Sequence, residues 1–95
     1  MDTTNEAIRL AAFVRVKEEE NILELERLQL NPIVVAVPHA VDRIDGIIAD
    51  ERRHLADNEA IIIVLEARRP EVRTEIETEV ARLRDLVRQH GGIVW

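Results

Sequence analysis

Cysteine, serine and tyrosine are absent from this 95-residue chain, and each absence removes a chemistry. Without cysteine there is no disulfide framework, no thiolate metal site and no thiol nucleophile. Without serine the commonest nucleophilic triad is excluded. Phe13 and Trp95 are the only aromatic residues, so a core must be built from isoleucine, valine, leucine and alanine. Only three glycines and three prolines occur, which favours helices over a turn-rich β fold. No apolar run approaches the roughly 20 residues that span a bilayer. A glycine-rich phosphate loop, G-x-S-x-G and His-Glu-x-x-His are also missing. Met1-Asp2-Thr3-Thr4-Asn5-Glu6 shows no basic region followed by an apolar stretch, so no signal peptide and a soluble cytoplasmic protein are expected. The net charge of −6 argues against a nucleic-acid surface and suits a protein that attracts cations.

What remains is long-period apolar patterning. Residues 1–95 read as a single helical domain, small enough to have trouble burying a large core alone. A first helix is expected from about Thr3, where Thr3-Thr4-Asn5-Glu6 has the form of a capping box, to about Leu30 before Asn31-Pro32. Its main stripe runs Ile8, Ala11, Val14, Glu18, Ile22, Leu25, Leu28. A second row, Phe13, Val16, Glu20, Leu23, Leu30, lies on another side and predicts contacts beyond one monomer. Alternation at Ala12-Val14-Val16 and Leu23-Leu25 also reads as a strand hairpin turning at Glu18-Glu19-Glu20-Asn21. That turn lacks glycine, and the helix reading is preferred.

A second helix is expected to start at Pro32 and reach about Ala67, with Pro38 kinking it or marking its true start. The run from Ala60 to Leu65 is β-branched enough for a buried strand, but the helical phase passes through it unbroken. A third helix opens at Pro70, buries Val72, Ile76, Val80, Leu83 and Val87, and ends at His90 before Gly91-Gly92. The tail Ile93-Val94-Trp95 packs on a neighbour or forms an exposed hook.

The informative positions are polar residues inside these stripes. On the second helix, steps of three and four give Val37, Val41, Ile44, Ile48, Glu51, Leu55, Asn58, Ile62 and Leu65, flanked by Ile47, His54 and Ile61. These positions share one face, which should be buried. An ionised carboxylate is costly there unless its charge is compensated. Glu51 and His54 are one turn apart and point the same way. Glu18 sits at the centre of the first helix's stripe.

A dinuclear carboxylate site needs anionic oxygens to bridge two cations, with imidazole completing each coordination sphere. Its four-helix version takes a glutamate from each of two helices and Glu-x-x-His from each of the other two. This chain offers one of each, hence half a site, and a two-fold dimer would complete it. The expected fold is therefore all-α: an antiparallel helical hairpin plus a third helix, completing a four-helix bundle through dimerisation.

Asp50-Glu51-Arg52-Arg53-His54, following a glutamate-rich first helix, resembles the ferritin-like superfamily, in particular the short encapsulated-ferritin type with two-helix protomers. The resemblance covers roughly Glu18 to Arg88. It implies a dinuclear iron centre, with manganese as an alternative metal, and oxidation of Fe(II). It assigns Glu51, His54 and Glu18 as metal-ligating and catalytic residues, with Glu19 and Glu20 open as alternatives to Glu18. It also implies a homodimer or higher homo-oligomer, and an encapsulating shell protein around it in a protein compartment.

The bland reading stands beside this one. A metal-free helical scaffold or adaptor could hold Glu51 in a pair with His54 or an arginine at an oligomer interface. Asn58 then sets register, as buried asparagine does in coiled coils. Glu59 lies off the seam and reads as solvated, with a part in metal entry left open. His39 and His90 sit at helix ends and read as structural.

Overall fold

A computed structural model of the chain describes residues 3–91, and among these every regular element is helical. Helix α1 spans Thr4–Leu30, α2 Pro32–Val35, α3 Ala40–Arg68 and α4 Val72–His90. Both strand alternatives are thereby excluded, at the Glu18 hairpin and at Ala60–Leu65. No described helix is long and apolar enough to cross a membrane.

Three helix ends differ from expectation, each for a local reason. Thr3 makes no side-chain cap bond; its ψ of 6° lies outside the extended conformation that aims a cap hydroxyl at the first turn. Its backbone carbonyl still accepts from the Ala7 amide at 3.1 Å. The expected second helix is split in two. Asn31 caps α2, its side chain accepting from the Ile33 amide at 2.9 Å, but Pro38 cannot continue the hydrogen-bond ladder. The chain turns instead, His39 takes a left-handed φ of 64°, and α3 starts at Ala40. Finally, α3 ends at Arg68 because the residue before a proline is driven extended, as Arg69 is, and α4 begins at Val72 rather than Pro70, since the Val72 amide bonds the Arg69 carbonyl three residues back at 3.0 Å and makes Pro70 and Glu71 a turn. Gly91 closes α4 with a left-handed φ of 72°, as its sequence position predicts. Gly92 and the tail Ile93-Val94-Trp95 lie outside the described residues.

α1 and α3 run antiparallel, as the Asn58–Ala11 and Gln29–Asp45 bonds show, and α4 packs mainly on α1 while touching the C-terminal part of α3. The body measures 52 × 28 × 20 Å, so it is only two helix diameters thick. The core joins Ile8, Ala12 and Val16 of α1, Ile62 of α3, and Val72, Ile76 and Val80 of α4, with Leu83 and Val87 against it. The charge-free stripe of α4 is thus buried as its period predicts. Val16, taken from the sequence as a sign of an outside partner, is covered by α4 of the same chain. The other apolar members of that row, Phe13, Leu23 and Leu30, stay exposed.

Asn58 is buried and its Nδ2 donates to the Ala11 carbonyl at 2.9 Å, tying α3 to α1. Replacing Asn58 by alanine removes that tie and leaves a small void. A loss of about 1–3 kcal/mol is expected. Urea denaturation of the two proteins at equal concentration measures it.

Candidate metal centre

Two polar ties fix the register of α1 against α3, one on either side of the ligand level. Below it stands the Asn58–Ala11 bond. Above it, Gln29 Nε2 donates to Asp45 Oδ1 at 2.5 Å and more weakly to the Val41 carbonyl at 3.4 Å. With both ends pinned, the centre of α1 faces the centre of α3, and Glu18 meets Glu51 and His54.

Among the described residues, these three form the one cluster of potential metal-ligating side chains. One ligand atom from each lies within 4.8 Å of the others. His54 Nδ1 is 3.7 Å from Glu18 Oε2 and 3.9 Å from Glu51 Oε1, both too long for hydrogen bonds. An ion bonded at about 2.1 Å holds its ligand atoms within about 4.2 Å of one another, so a small rotation of the Glu51 carboxylate closes the difference.

Glu18 is the decisive member. Its side chain is only 10% exposed, and Oε2 is buried without a hydrogen-bond partner. A carboxylate oxygen in that state costs free energy, and the ion-pair partner found for it among the described residues, His54 Nδ1, stands at 3.7 Å, beyond hydrogen-bond length. A cation within reach of Glu18, Glu51 and His54 would offset it, and hard oxygens with one imidazole suit iron or manganese.

The neighbouring glutamates part company with Glu18. Glu19 turns the other way, ion-paired with Arg15 at 3.4 Å and with Arg84 of α4 at 2.7 Å. Glu20 is not drawn into the cluster. The phase of the stripe therefore picked the residue that faces α3. Glu59 also faces α4, not the cluster: Arg73 binds it at 2.7 Å and Glu66 at 2.6 Å. Those hydrogen bonds hold the Arg73 guanidinium above its ordinary range. His39 and His90 stand at helix ends, and neither belongs to the cluster.

One expectation fails in the single chain. The seam of α3 was expected to be buried throughout, yet His54 is 56% exposed. Ile47 and Ile61 beside it are 47% and 55% exposed. The reason is geometric, since α1 covers one flank of the seam and, among the described residues, His54, Ile47 and Ile61 on the other flank stay open. Asn21 escaped the sequence reading: its Nδ2 reaches Glu51 Oε2 at 3.5 Å. The available signal was its place one turn beyond Glu18 on the same stripe.

No family model, curated protein or solved structure matches the chain. The ferritin-like resemblance therefore rests on Glu18 and Glu51-x-x-His54 alone.

Proposed function

We propose that Glu18, Glu51 and His54 are one half of a dinuclear carboxylate centre, completed by a second copy in a four-helix bundle, that binds and oxidises Fe(II). The observation that carries this reading is the buried, unpartnered Glu18 Oε2 facing two further ligands. Bound iron supplies the one-electron steps: two Fe(II) give two electrons, which with two protons turn dioxygen into hydrogen peroxide, or peroxide into two waters. The chain's own residues do the rest. Glu18, least exposed of the three, would hold the metal from α1. Glu51 and His54 are held at a fixed spacing by one helical turn. His54 must present a neutral nitrogen, so protons compete with metal and affinity falls as pH falls. A cytoplasmic location, and a shell protein around the dimer, come with the resemblance.

Titration of the purified protein with Mn(II) or anaerobic Fe(II), followed by oxidation on admitting air, tests the proposal. Two metal ions per two chains and a rising ferric absorbance are expected. A protein that takes up neither ion is the metal-free scaffold, and the orphaned carboxylate is then an interface group.

A further inference from the structure

The tip that joins α1 to α3 is built unlike the rest of the chain. Residues 28–41 contain no Asp, Glu, Lys or Arg, in a sequence where 34% of residues are charged. His39 is the one ionisable side chain within the run. The apolar side chains of the tip nevertheless face water. Leu30 and Ile33, 81% and 78% exposed, are the two most open large apolar side chains among the described residues. Val35 and Val37 are more than half exposed, and α2 buries no residue. An uncharged, exposed apolar tip of this kind marks a contact surface.

Two observations identify what it contacts. The first is a backbone that is already satisfied. Pro32 and Pro38 have no N–H to donate. Of the six N–H groups between Asn31 and Val37, five bond within the tip. Asn31 donates to the Leu28 carbonyl at 3.1 Å and Ile33 to the Asn31 side chain at 2.9 Å. Val35, Ala36 and Val37 donate to the carbonyls of Asn31, Pro32 and Val34. A tip bonded to itself can leave water without stranding many polar groups, as entry into an apolar medium requires.

The second is shape. Ile33 and Val35 stand about 200° apart around α2, yet both are open. Apolar surface therefore rings the tip and does not form one face for a partner to cover. Its area is on the order of a few hundred Å², short of the roughly 800 Å² that each side of a stable protein interface buries. A fluid apolar phase requires neither a single face nor a large area.

We propose that the tip, Leu30 to Val37, dips into the surface of a lipid bilayer whose headgroups are zwitterionic. The charges at its base select the lipid. Glu24, Glu26, Asp42 and Asp45 stand against Arg27 and Arg43, four acidic groups to two basic ones, and a net negative base is repelled by an anionic surface. The tip lies about 18 Å along α1 from the level of Glu18, so this contact is independent of the metal reading.

Because the chain has no cysteine, one introduced thiol reports on one place. Val35→Cys and Ile63→Cys each carry a polarity-sensitive fluorophore. The two side chains are matched in the free protein, 57% and 56% exposed, but Ile63 lies on α3 away from the tip. Both proteins are titrated with vesicles of phosphatidylcholine, with and without added phosphatidylserine. The label at position 35 should shift to the blue on phosphatidylcholine and be quenched by lipid brominated in its acyl chains. The label at position 63 should do neither. Ile33→Asp, with its fold checked by circular dichroism, should weaken vesicle co-sedimentation at least about ten-fold. Phosphatidylserine should weaken it as well. No binding to phosphatidylcholine overturns the proposal and leaves the tip as a protein contact. Binding that shifts both labels alike, survives Ile33→Asp or tightens with phosphatidylserine also overturns it. The label at position 35 decides the matter even if Ile33→Asp misfolds.

Discussion

Glu51→Ala is expected to weaken Mn(II) and Fe(II) binding by more than about 100-fold, the upper range for losing even an outer-shell partner of a metal site. His54→Ala should do the same. Each removes one of three protein ligands, and no fourth carboxylate or imidazole among the described residues stands near enough to replace it. The fold should survive both changes. His54 is more than half exposed, and the contacts of Glu51, to Asn21 and His54, are both long, so each change should cost under about 1 kcal/mol. Glu19→Ala is the matched control. It removes a carboxylate from the adjacent position and breaks the Arg84 pair, yet metal binding should stay within a factor of two or so, because a partly exposed ion pair contributes at most about 1 kcal/mol. Calorimetric titration with Mn(II) ranks the three variants. Full iron oxidation by Glu51→Ala together with weakened assembly would sink the enzyme reading and leave Glu51 as an interface residue.

The contrast between Glu18 and Glu19 also marks what a one-dimensional reading can reach. Helical period assigns a residue to a face, and it put Glu18 with Ala11 and Ile22 on the face that meets α3. It does not say which neighbour covers that face. The second row of α1 read as a partner's contact surface; α4 covers Val16 of that row and leaves Phe13, Leu23 and Leu30 exposed, and only the Arg84 bond reveals where Glu19 points. Asn58 was legible as a register-setting residue because a lone amide within an apolar stripe needs a partner. The stripe of α4 was legible because nothing polar interrupts it. The break at Pro38 was visible in kind and not in extent, since the left-handed turn at His39 has no sequence signature of its own. Exposure of His54 was hidden for a further reason: a helical period assigns a residue to a face and does not say how wide a strip of that face its neighbour covers.

Glu18→Leu should make the metal-free protein more stable and the metal-loaded protein less stable. Leucine is similar in volume and would sit among the buried Ile22 and Ile48, with no oxygen left unpaired. Exchanging buried charge for apolar packing commonly gains about 1–4 kcal/mol, so a gain of about 1–3 kcal/mol is expected without metal. For a domain this size each kcal/mol raises the melting temperature by about 4–8 °C. Metal reverses the order. At about 100 times its dissociation constant, a ligand bound only by the folded state adds about 2.7 kcal/mol. Wild type should collect that gain and the variant, lacking the Glu18 carboxylate, should not. Glu18→Gln separates charge from shape, because it keeps the side-chain volume and removes the anion. Denaturation of the three proteins at one protein concentration, with and without Mn(II), should therefore give stability curves that exchange places. A Glu18→Leu protein already less stable without metal would mean that the carboxylate has a structural partner in the folded protein. The argument from its unpaired oxygen, and the metal centre with it, would then be wrong.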